Sequence, residues 1–200
     1  MVATRYDFGV TAERLYELLE RLGNLLRAEA RGATGGAGLQ PVQAQALGYL
    51  ARCNRYSDSP AAVAEFLGLT KGTVSQTLAL LQQRGLVAAE DDPDDGRRVH
   101  LHLTRRGRRL AERLPSPLLA EALAALPAGG ALTEQLEQLL AALQRARGGR
   151  TFGVCHTCRH FRSGAAGAQC GLTGEPLQPA QTTRICREHE VAGEAGGRPA

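Results

Sequence analysis

Two hundred residues, 43% of them hydrophobic and 22% charged, suffice for one real core and a small appendage, not for several large domains. The formal charge of +4 is a mild bias that names no partner, and no apolar run is long enough to span a bilayer. The N-terminal MVATRYDFGVTAERL lacks the apolar stretch of a secretion signal, so a cytoplasmic protein with no membrane partner is expected.

In chain order, Leu15, Leu18, Leu19, Leu22, Leu25 and Leu26 recur at spacings of three and four and predict a helix over Thr11 to Arg31, ended by GATGGAG. This leucine stripe serves either packing within the chain or a dimer interface. VQAQALGYLARC, behind Pro41, predicts a second helix over 42–53 with Cys53 as plain core. Ser59 can cap a short helix with Pro60 at its first position, running to Leu67. Gly68 permits a tight reversal, and Thr70 can cap a further helix from Lys71 to Gln83, with Val74, Leu78 and Leu81 inward and Gly85 as its stop. Two short helices about a glycine-containing turn describe a helix-turn-helix.

LVAAE, the turn DPDDG and the alternating VHLHLT predict a two-stranded wing. His100 and His102 alternate with the apolar residues and are expected to meet solvent or phosphate. Thr104 caps the next helix, which begins RRGRRLAERL. Pro115 and Pro117 interrupt, residues 118–126 continue helically, PAGG breaks again, and a leucine stripe predicts a helix from Leu132 to Arg147. Seven arginines between Arg97 and Arg113 follow the acidic run EDDPDD, and such a segment can focus a field on a polyanion.

A helix N-terminus bearing small polar residues suits a major groove. Gln76 and Thr73 are expected at base edges and Lys71 at phosphate, with Ser75 and Thr77 beside them. At the wing tip Arg97 and Arg98 would meet the minor groove or its phosphates, and Asp95 would hold the Arg97 guanidinium. LQPVQAQALGYL, AAVAEFLGLTKGTVSQTLALLQQRGLV and DPDDGRRVHLHLTRRGRRL make residues 40–110 resemble the multiple antibiotic resistance regulator (MarR) family of winged-helix repressors. The Asp-Pro-x-Asp-x-Arg turn and the following Leu-Thr-x-x-Gly carry the likeness most strongly. Ala88 and Ala89 depart from it, standing where the family often has an arginine beside the first wing strand. The resemblance implies a homodimer with interlocked terminal helices. It also implies a near-palindromic double-stranded operator read by Thr73, Ser75, Gln76 and Thr77 with Asp95 and Arg97, and leaves room for a small-molecule effector. The expected fold is mainly α with a small β wing, a winged helix-turn-helix inserted between dimerisation helices over residues 1–148.

The resemblance does not account for residues 149–190. There the spacing is Cys155-x2-Cys158-x11-Cys170-x15-Cys186, followed by x2 and His189. Four thiolates make a soft site suited to zinc or a [4Fe–4S] cluster, and the layout has a loose likeness to some high-potential iron–sulfur proteins. Zinc on Cys155, Cys158, Cys186 and His189 leaves Cys170 free; all four cysteines are equally drawable. A metal-free reversible disulfide between Cys155 and Cys158 is the remaining alternative. Six strong apolar residues (Phe152, Val154, Phe161, Leu172, Leu177 and Ile185) are too few for an independent core, so a metal would supply folding energy. Attached after the last dimerisation helix, the tail is expected to bias that helix, clamping it or making it respond to metal or redox state. Residues 191–200 are expected to be disordered. Competing classes are a thiol-disulfide or electron-transfer protein and a winged helix that binds protein. No paired acid and base points to an enzyme, and the glycine-rich GATGGAG lacks the Lys-Ser/Thr of a phosphate loop.

Overall fold

The computed structural model describes residues 11–164 and 167–191. The segment expected to be disordered lies outside them apart from Val191, as do the first ten residues. Helices α1 (Ala12–Thr34), α2 (Pro41–Arg52), α3 (Pro60–Leu67) and α4 (Lys71–Gln83) come first. The hairpin β1 (Val87–Asp91) and β2 (Val99–Leu103) follows, then α5 (Arg105–Ala111), α6 (Pro117–Ala125) and α7 (Gly129–Ala146). The mainly helical plan with a small antiparallel wing among helices is as the sequence predicts.

Local chemistry sets these boundaries. Ser59 Oγ accepts from Ala62 N at 3.3 Å, Thr70 Oγ1 from Thr73 N at 3.2 Å and Thr104 Oγ1 from Gly107 N at 3.0 Å, each capping an otherwise orphaned donor. Gly68 takes φ 64 and lets α3 turn into α4 within three residues. Helix α7 starts three residues before the predicted Leu132, taking Gly129 and Gly130 into its first turn.

Leu47 and Tyr49 of α2, Val63 of α3, Val74 and Leu81 of α4, and Leu86, Val87 and Leu101 of the hairpin form the core. Wing register pairs Val87 with Leu103 and Ala89 with Leu101, so Leu101 and Leu103 face inward together. Gly107 fits directly on the Leu86 backbone: a Cβ there would lie 2.0 Å from the Leu86 carbonyl oxygen. Helices α1 and α7 instead leave leucines uncovered, among them Leu22 at 49% and Leu140 at 55% exposure.

The tail forms a small three-stranded antiparallel sheet, β3 (Phe161–Gly164), β4 (Gly167–Cys170) and β5 (Pro176–Leu177), followed by the single turn α8 (Pro179–Thr182). Its apolar side chains do not stand alone. Phe152 and Ile185 enter the winged-helix core, with the Phe152 ring edge-on to Phe66 at 5.4 Å and Tyr49 at 6.2 Å. Ile185 bridges Cys53 and Val154, its N–H donating to the Arg52 carbonyl at 2.9 Å and its carbonyl accepting from Asn54 N at 2.9 Å. The tail therefore docks on α2 and α3, and not on α7 as its attachment point suggested. Too few apolar residues for a separate core are enough for a shared one. Among the described residues no helix is long and apolar enough to cross a membrane.

Candidate functional site

Two groups of residues matter: the exposed end of α4 with the wing, and the four clustered cysteines. On α4, Val74, Leu78 and Leu81 face the core, which turns Lys71, Thr73, Ser75 and Gln76 outward. The Thr73 hydroxyl lies 3.0 Å from that of Thr70, so the cap also orients it. Thr77 differs from expectation. It is buried and donates its hydroxyl to the Thr73 carbonyl at 2.8 Å, supporting the helix instead of offering a contact.

The wing tip corrects two more details. Asp95 Oδ1 accepts from the backbone N–H of Arg97 at 3.1 Å, and its other oxygen pairs with the guanidinium of Arg98, at 3.4 Å, not that of Arg97. The turn brings residue 98 back across the carboxylate, while Arg97 projects outward and is exposed. The acidic run is organised inward. Asp92 Oδ1 accepts from the backbone N–H groups of Asp94 and Asp95 at 2.8 and 2.9 Å, closing the turn.

His100, expected to face solvent or phosphate, is clamped between two carboxylates. Its Nδ1 lies 2.7 Å from Asp58 Oδ1 and its Nε2 2.9 Å from Asp92 Oδ2. Only an imidazolium donates from both nitrogens, so Asp92 first and then Asp58 raise its pKa above the ordinary value. In return the hydrogen bond to His100 lowers Asp92 to about 2. Burial of Asp58 pushes its carboxyl up and outweighs His100. The clamp fixes the wing to the segment before α3, and Leu101 N–H donating to the Asp58 carbonyl at 2.8 Å reinforces it. Strand alternation places His100 opposite the apolar face but cannot show that residue 58 covers that face.

Beside α5, Arg84, Arg105, Arg106, Arg109 and Arg113 line a cleft of about 410 Å³ with Leu110. No carboxylate lines it. Arg84 is held there by the Ala37 and Gly38 carbonyls.

In the tail, Cys155, Cys158, Cys170 and Cys186 line one small cavity. Phe161, Leu172 and Leu177 form its apolar wall. No group of three or more His, Cys, Asp or Glu among the described residues is arranged to hold a single ion as it stands. Hydrogen-bond donors nonetheless point at the sulfurs. Glu190 N–H donates to Cys158 Sγ at 3.4 Å. Burial pushes the Cys170 thiol up, but the Thr173 backbone and hydroxyl and the Leu172 backbone outweigh it and bring it below its ordinary value. Burial raises Cys186, opposed first by the Asn54 side chain, whose buried Nδ2 has no oxygen partner. Burial also raises Cys155, to about 11, aided by the other three thiols.

His189 lies apart from this cavity. Both ring nitrogens are engaged, Nδ1 with the Thr151 hydroxyl at 2.9 Å and Nε2 with that of Thr157 at 3.0 Å. The arrangement brings together the four cysteines and not the set in which His189 replaces Cys170. His160 and Glu188 also line the cavity, which spacing alone gave no means of finding. Cys53 is buried in the core, its thiol pushed up to about 12 by burial.

Residues 37–98 match the MarR family model. Comparison with curated proteins gives no match. Solved structures similar to this chain include an S. aureus MepR–DNA complex, at 23% identity and TM-score 0.55, covering 65% of this chain and 98% of that one. Streptococcus pneumoniae FabT in complex with DNA is 22% identical with TM-score 0.56, over 68% and 99% of the two chains. CouR from Rhodococcus jostii RHA1 bound to p-coumaroyl-CoA is 22% identical with TM-score 0.54, over 68% and 94%. This likeness shows the MarR-type winged-helix fold that the sequence led us to expect.

Proposed function

We propose that this protein is a sequence-specific double-stranded DNA-binding regulator, a repressor, whose cysteine tail makes binding respond to metal or redox state. The observation that carries the first part is α4, capped by Thr70, presenting Lys71, Thr73, Ser75 and Gln76 outward beside a wing tip that offers Arg97. Helix dimensions suit the major groove, and arginine at a hairpin tip suits the minor groove or its phosphates. DNA complexes of MepR and FabT, which share the fold, support the same use here. Uncovered leucines on α1 and α7 support a homodimer in which a second copy covers them, and two recognition helices then read a near-palindromic operator. The five-arginine cleft suits an anionic small-molecule effector; CouR, bound to a coenzyme A ester, supports effector binding on this fold.

For the second part we take Cys155, Cys158, Cys170 and Cys186 as the ligands of zinc or a [4Fe–4S] cluster. Their shared cavity and the donors directed at their sulfurs support four thiolates. Asp95 acts in this reading through Arg98 and the wing backbone, not by touching DNA.

The test is a binding titration with a duplex from upstream of this protein's own gene. Gln76→Ala with Arg97→Ala is expected to abolish sequence preference, each specific base contact contributing about 1–3 kcal/mol. Retained preference in a folded double variant would refute the contact assignment. Absorption spectra and elemental analysis of protein purified without oxygen identify the metal: iron with sulfide marks the cluster, zinc alone the clamp.

A further inference from the structure

We propose that the four-thiolate centre governs the recognition helix through the charge of Glu65, which an arm carrying one of the centre's own sulfurs holds neutralised. The inference rests on reading the cysteines as metal ligands and α4 as the DNA-reading helix.

The arm is Arg184–Arg187, with Cys186 in its middle. One side is anchored to the end of α2, where Arg184 Nη1 donates to the Ala51 carbonyl at 2.9 Å and Ile185 pairs with Arg52 and Asn54. On the other side of Cys186, the Arg187 N–H donates to Ser57 Oγ at 2.8 Å. Its guanidinium grips Glu65 on α3 with two bonds, 2.7 Å to Oε2 and 2.5 Å to Oε1. Arg150, from the segment that leads into the tail, lies 3.5 Å from the same carboxylate. Ile185 is held by the core whatever the centre contains, but Arg187 lies beyond the sulfur, so its position depends on where Cys186 is held.

Glu65 is 40% exposed on the helix preceding α4, and its carboxylate also interacts with Lys71, the first residue of α4. A bidentate guanidinium is a strong partner for a carboxylate, so a gripped Glu65 exerts little pull on Lys71. With the grip released, an uncompensated carboxylate would stand beside the lysine expected at phosphate. It would draw Lys71 away and repel the DNA backbone. The tail apolar residues need a metal or the shared core to stay ordered, so emptying the centre loosens the arm beyond Ile185. The filled centre thus favours DNA binding and the empty centre opposes it.

The test compares full-length protein as purified, emptied by a chelator under reductant, and refilled anaerobically with zinc or with iron and sulfide. Affinity for the upstream duplex is measured across a salt series. Emptying the wild-type protein is expected to weaken binding about three- to tenfold at low salt, and to flatten the salt dependence by about one phosphate contact. Glu65→Gln should bind equally well filled or empty. Arg187→Ala, though filled, should bind like the emptied wild type, and adding Glu65→Gln to it should restore affinity. That restoration separates a charge effect from damage to the fold, as does an unchanged urea midpoint of Glu65→Gln. A Glu65→Gln protein that still loses affinity like the wild type on emptying overturns the proposal, as does a wild type indifferent to emptying. Absence of metal in the purified and refilled protein would remove the metal reading, and absence of DNA binding in every form the DNA reading; either takes this inference with it.

Discussion

Phe152 offers the most direct test of whether the tail belongs to the winged-helix core. Its side chain is 8% exposed and packs edge-on against Phe66 and Tyr49, while its backbone takes φ 50, in the left-handed region. Removing a buried phenylalanine ring costs about 3–5 kcal/mol, combining lost transfer energy, the cavity left behind and the lost ring contacts. The left-handed backbone adds a second, opposite quantity. A residue with a Cβ pays roughly 1–2 kcal/mol for that conformation and glycine does not. Phe152→Ala should therefore lose the full ring contribution, and Phe152→Gly about 1 kcal/mol less, reversing the usual advantage of alanine over glycine. Urea unfolding of the full chain, with metal content held constant, measures both. A Phe152→Ala midpoint equal to that of the wild type would refute the shared core, and alanine outlasting glycine would refute the backbone argument.

Gly107→Ala should destabilise by about 2–3 kcal/mol or more, because its Cβ meets the Leu86 backbone, which cannot swing aside like a side chain; thermal melting reads this out. The His100 clamp predicts a pH dependence. The raised His100 pKa contributes stability fully below its ordinary 6.5, lost as pH rises through the folded value. The lowered Asp92 pKa contributes above its ordinary 3.8 and is lost as pH falls toward about 2. Buried Asp58, raised, works against its own ionisation, and His102 stacks 6.3 Å from His100. The stability gap between wild type and His100→Gln should accordingly be widest near pH 5–6 and shrink toward alkaline pH, as followed by urea midpoints; a gap that widens with rising pH would contradict the clamp. Leu140→Glu, on the uncovered face of α7, should leave a monomer by light scattering if a second copy covers that face.

The helix-turn-helix was legible because its determinants are local. Ser59, Thr70 and Thr104 cap within three residues, and Gly68 acts on its own backbone. The wing followed from strand alternation for the same reason. What escaped the sequence acts over distance. The partner of His100 is Asp58, which lies 42 residues earlier, and the seat of Phe152 is formed by Tyr49 and Phe66. Spacing joined four cysteines but gave no reason to prefer them over the set with His189, whose two threonine partners are themselves unremarkable in sequence. At the wing tip a one-residue difference in which arginine meets Asp95 depends on turn geometry, which residue types alone do not fix.

The docking of Phe152 and Ile185 on α2 and α3 also sets an order in time. During synthesis the N-terminal part of a chain emerges and begins folding first, at about 5–20 residues per second. The winged helix must wait for a segment about a hundred residues downstream before its aromatic cluster is closed. Until then Tyr49 and Phe66 lack their covering ring, and Glu65 lacks Arg187. A nascent regulator with α4 already formed would thus remain a weak DNA binder while still on the ribosome, and completion of the chain would license it.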